Sequence, residues 1–84
     1  MEKVTVFKVI HQTINHCTGE KTSFVYNMFA RKEDAKEWMD NMFKKLNCKN
    51  IRGEVYEVHD EEWIISSKET KEIFTILETK EQKQ

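Results

Sequence analysis

The chain contains no proline, and only two of its 84 residues are glycine, Gly19 and Gly53. Phosphate-cradling loops need several glycines in a short span, so Walker-type and dinucleotide-binding chemistry is excluded. Cysteine is scarce as well: Cys17 and Cys48 are too few to staple a disulfide scaffold. No apolar run approaches the roughly 18 residues of a membrane-spanning helix. The opening Met1-Glu2-Lys3-Val4 has no continuous apolar stretch, so no secretory leader and a reducing, cytoplasmic setting are expected. Neither sign of charge dominates. Fourteen basic and 15 acidic side chains leave a formal net charge of -1, which gives no global attraction to nucleic acid.

What is present is a patterned globular chain, 38% apolar and 35% charged. It reads as a single domain over residues 1–84. A domain this short buries only about 60% of its unfolded surface, so its core has little to spare.

Lys3 to Gln12 is rich in Val, Thr, Ile and Phe and predicts a strand, with Val4, Val6 and Ile10 on one face and Phe7 and Val9 on the other. Asn15 to Glu20 is a polar loop ending near Gly19. Thr22 to Phe29 predicts a second strand, its alternation placing Phe24, Tyr26 and Met28 opposite Val25 and Phe29. Together these make a β-hairpin.

The period then changes. Ala35, Trp38, Met39, Met42, Phe43 and Leu46 form one stripe of an α-helix. Glu33 and Asp34 in the first turn and Lys44 and Lys45 in the last complement the helix dipole. Arg31 stands where a Ser, Thr or Asp cap is expected, and Asn47 to Asn50 supplies a stop. Ile51 to His59 and Trp63 to Ile65 read as further strands around an acidic turn. The run Ile73 to Leu77 has two readings. Its β-branched content predicts a strand paired with Trp63 to Ser66, whereas Ser66-Ser67-Lys68-Glu69 matches a capping box and Ile73, Ile76 and Leu77 fit helical spacing. The strand is preferred, and residues 79–84, without an apolar side chain, are expected to be a disordered tail.

Catalytic and metal-binding grammar is missing. His11, His16, Cys17, Cys48 and His59 include no C-x-x-C pair, and His11 and His16 have no second ligand pair to match them. Adjacent His16 and Cys17 do not face each other as a nucleophile and base must. No enzyme activity, metal or cofactor is expected. The carboxylates of Glu57, Asp60, Glu61 and Glu62 read as a solvated turn, or as a patch that docks on a basic partner.

Charge is unevenly placed along the chain. Residues 1–52 carry ten basic and six acidic side chains, and residues 53–84 carry four and nine. Oppositely charged strands that pair within one sheet account for this; so does a molecule with a positive and a negative end, suited to two-fold association.

The hairpin strands break the apolar–polar alternation of a sheet with one wet face. One helix covers one side of a small sheet, so a second cover is required: the last apolar run if helical, otherwise a partner.

Val4-Thr5-Val6-Phe7-Lys8-Val9, Thr18-Gly19-Glu20-Lys21 and Phe29-Ala30-Arg31-Lys32-Glu33-Asp34-Ala35-Lys36-Glu37-Trp38 lay out a strand, a turn and a helix opening. Over residues 4–46 this resembles small phage- or mobile-element-encoded accessory proteins, though Arg31 departs from the Ser or Asp frequent in such helices. The resemblance implies a protein that binds and modulates a host or defence factor.

The expectation is therefore an α+β domain: a β-hairpin, one helix packed on one face, then two or three antiparallel strands. Its expected role is non-enzymatic protein interaction as a homodimer, with Phe7, Val9, Tyr26 and Met28 as contacts. The alternative is nucleic-acid contact through the basic cluster Lys44, Lys45, Lys49 and Arg52.

Overall fold

The computed structural model describes residues 3–50 and 53–82. In chain order the elements are β1 (Lys3–Asn15), β2 (Lys21–Phe29), α1 (Lys32–Cys48), β3 (Val55–His59), β4 (Glu62–Ser66) and β5 (Thr70–Gln82). This is an α+β fold: five antiparallel strands in the order β2-β1-β5-β4-β3, with one helix. Its extents of 48 × 28 × 19 Å and radius of gyration of 14.5 Å are those of a thin slab; a compact chain of this length has a radius near 12 Å.

The hairpin closes as its polar loop allows. Asn15 Oδ1 accepts the N–H groups of Cys17 (2.9 Å) and Thr18 (3.1 Å), and Gly19 takes a φ of 76° that favours glycine. His16 N–H donates to Glu69 O at 2.8 Å, tying this loop to the β4–β5 turn.

The ambiguous last run is a strand, and it takes the centre of the sheet. β5 pairs with β1 from Lys3↔Gln82 to Asn15↔Thr70, and with β4 from Glu62↔Thr75 to Ser66↔Lys71. A helix there would leave the inner edges of β1 and β4 without ladder partners. The capping-box serines serve a turn instead: Ser67 Oγ accepts the Thr70 N–H at 3.0 Å. The expected tail is corrected for residues 79–82, while residues 83 and 84 lie outside the described residues. Residues 79–82 belong to β5 opposite Lys3–Val6, because a backbone ladder needs no apolar side chains. Lys80 also donates to Thr5 Oγ1, and Lys8 pairs with Glu81.

α1 packs its predicted stripe on the sheet. Ala35, Met39 and Phe43 are buried against Val9, Trp63, Ile65 and Phe74, which the strand register places on a single face. Trp63 Nε1 donates to Asp40 Oδ1 at 2.9 Å, so the indole is buried with its polar atom satisfied. Arg31 has the extended backbone of an N-cap (φ -131°, ψ 139°) but makes no side-chain cap bond. The helix start is instead pinned by an ion pair from Lys32 to Glu61, which sits in the β3–β4 turn at φ 43°.

Candidate docking surface

β2 carries a feature that simple alternation misses. Val9 is opposite Asn27 but Ile10 is opposite Val25, so Tyr26 is an extra residue in a β-bulge. The bulge flips the side-chain parity of β2. Phe24 and Tyr26 turn to the helix side with Phe29, while Val25 and Met28 share the opposite face with Lys8 and Ile10. The ring contacts fit this: Tyr26 lies 5.5 Å from Trp38 and 5.7 Å from Phe74, and Phe29 lies 5.6 Å from Trp38. The sequence-predicted grouping of Phe24 and Tyr26 with Met28 is thus corrected. Its only local hint is Asn27, a residue type that strands avoid.

The proposed contact residues do not form one surface. Val9 has no exposed surface and lies in the helix-side core, and Phe7 is half-buried against the same core. Tyr26 is on the helix side at a partly open aromatic shelf. Met28 alone of the four is on the far side of the sheet, 55% exposed.

On that far face, no element among the described residues covers the strands. Register puts Val4, Val6, Ile10 and Ile14 of β1, Val25 and Met28 of β2, Ile73 and Leu77 of β5, Ile64 of β4 and Val55 of β3 there. Val25 is 47% exposed and Leu77 50%. Ile64 is already buried, between its cross-strand neighbours Glu57 and Ile73. The face therefore carries an apolar set running from Met28 and Val25 through Ile10, Leu77 and Ile73 to Ile64, with Lys8, Gln12 and Thr75 set among them. Lysines and glutamates stand among and around these residues.

The edges of the sheet are less inviting. The Met28 N–H donates to Asn27 Oδ1 at 2.8 Å, and the bulge at Tyr26 breaks the regular edge of β2. Both are devices that blunt strand addition. β3, at the other edge, has five residues.

The helix side offers less. His11 stacks on Phe74 at 4.2 Å beside the aromatic shelf; its Nε2 lies 3.1 Å from Glu72 Oε1, and its Nδ1 is buried without a hydrogen-bond partner. Lys44, Lys45 and Lys49 are exposed near the end of α1, and Arg52 lies outside the described residues. Lys44 shares a shallow groove with Asp40, Phe43, Asn47, Tyr56 and Val58, where an acidic and three apolar or aromatic side chains accompany the single lysine. Cys17 and Cys48 are free and exposed. Among the described residues, no group of three or more His, Cys, Asp or Glu side chains is placed to hold a metal ion. No helix among them is long and apolar enough to cross a membrane.

Among the described residues, two titrating groups depart from their ordinary values. The side-chain hydrogen bond to Glu61 raises the Lys32 ammonium, aided by the nearby Asp60 and Glu78 charges. Burial raises the Tyr56 phenol, and the Glu54 and Glu72 charges add to it. Both hold the β3–β4 end of the sheet to the helix, away from the open face.

No protein-family model, curated protein or solved structure matches this chain.

Proposed function

We propose that this chain is a non-enzymatic protein-interaction module that works as a homodimer and docks through the open face of its sheet. The observation that carries this reading is the set of exposed apolar side chains at Val25, Met28 and Leu77, beside Ile10 and Ile73, on a face that no other element among the described residues shelters. Half-exposed Met, Leu and Val side chains gathered on one flat surface gain free energy only when another surface removes them from water. The likeness of residues 4–46 to phage-type accessory proteins extends the reading: such a module would bind and modulate a host or defence protein.

The contact set moves with the bulge. Met28 is retained from the sequence reading, and Val25, Ile10 and Leu77 replace Phe7, Val9 and Tyr26. The test is to place a charge on the band. Met28→Glu with Leu77→Glu is expected to abolish association and the binding of an apolar dye while leaving the circular-dichroism spectrum intact. Undiminished association in that variant would remove the open face as the docking surface.

A further inference from the structure

We infer that the occupant of the open face is a second copy of this chain, packed about a two-fold axis that runs along β5. In that arrangement β1 and β2 of one copy lie over β4 and β3 of the other. This inference rests on the reading of the open face as a docking surface and adds its geometry.

The charges on that face are sorted by strand. Lys21 stands on β2 and Lys8 on β1, Glu62 on β4 and Glu57 on β3, while central β5 carries Lys71 and Glu81 at its two ends. The topology does the sorting. Because β5 inserts between β1 and β4, the basic early part of the chain and its acidic later part form opposite margins of one sheet. An axis along the strands exchanges those margins when one face turns over onto the other. Each lysine margin then meets the partner's glutamate margin, twice by symmetry, which outnumbers the like-charge contacts of Lys71 and Glu81 with their own counterparts at the ends of β5. An axis across the strands would lay each strand on its own copy in reverse, bringing mid-strand Lys8 and Glu62 close to their own counterparts, which is repulsive, and leaving Lys21 and Glu57 without opposite charges. A partner of strongly one sign has no match on a face bearing three residues of each.

The exposed area fits a copy of the same size. The chain exposes 6241 Å², against about 5,300 Å² for a compact monomer of its 10.1 kDa mass. The excess of roughly 900 Å² is close to the ~800 Å² that each partner loses in a standard interface. Edge pairing, the other symmetric route, meets the bulge and the occupied Met28 N–H on β2.

Lys8 already pairs with Glu81 within one copy, so the test uses Lys21 and Glu57, both exposed on edge strands. Lys21→Glu and Glu57→Lys should each weaken the dimer roughly tenfold in sedimentation equilibrium, and the double variant should return it to within about threefold. Carbodiimide cross-linking of the wild-type chain, mixed from isotope-labelled and unlabelled copies, should join β1 or β2 lysines to β3 or β4 glutamates between copies. A dimer whose constant ignores both reversals, or whose cross-links lack those pairs, overturns this geometry but leaves the open face as a docking surface. A wild-type chain that stays monomeric overturns the second copy as occupant, and one that also binds no apolar dye overturns the open face as a docking surface.

Discussion

The two faces of this sheet carry similar side chains and have opposite fates. Under α1, Val9, Trp63 and Phe74 are sealed among Ala35, Met39 and Phe43. On the other face of the same sheet, Val25, Met28 and Leu77 stand half in water. Apolarity alone therefore does not separate the core from the open face in this protein. What separates them is which face the single helix reaches, and in β2 that is decided by one extra residue. Hydrophobic content made the hairpin conspicuous and alternation sorted β1 correctly, but in β2 it grouped Phe24 and Tyr26 with Met28 because it could not see the bulge.

The largest expected effect breaks the covered side. Phe74→Ala removes a buried ring that stacks on His11 and meets Tyr26, and should cost about 3–5 kcal/mol in urea unfolding. Leu77→Ala, three residues on and facing the other way, should cost the isolated chain less than about 1 kcal/mol. Equal losses would mean that both faces are core.

A smaller effect sharpens how the helix is held to its face. Arg31 occupies an N-cap backbone without a capping side chain. Arg31→Ser should therefore raise stability by about 0.5–1 kcal/mol, measured by denaturant melts, and leave self-association unchanged.

The smallest is alkaline. Lys32 and Tyr56 both hold their protons more tightly folded than unfolded. Their contribution is thus complete below the ordinary values and is lost as pH rises through the folded ones, above about pH 10. Glu61→Gln should remove the Lys32 part of that dependence. Thermal melts across the alkaline range would show it as a shallower fall, with dimerisation at neutral pH unaffected.

Much of the architecture was legible in the residues themselves. The helix followed from a stripe at 3.6-residue spacing, and the hairpin and fourth strand from β-branched and aromatic runs bounded by polar turns. Ile73 to Leu77 was divided between two periods, and what decided it was non-local: β1 and β4 each offered an unpaired edge. The same ladder recruited residues 79–82, whose polar side chains carry no strand signal. The strand order lay beyond local reading too, although it turns a charge gradient along the chain into one across the sheet. The open face was half legible. Apolar side chains on both faces showed in the broken alternation of β1 and β2, but the residues exposed there depended on the bulge at Tyr26, which an Asn in mid-strand marks only faintly.

Sedimentation equilibrium of the unmodified chain over a dilution series tests the central claim most directly. The open face predicts a species of twice 10.1 kDa that dissociates on dilution and is dispersed by Met28→Glu with Leu77→Glu. A single 10.1 kDa species at every concentration, unable to bind an apolar dye, would contradict it.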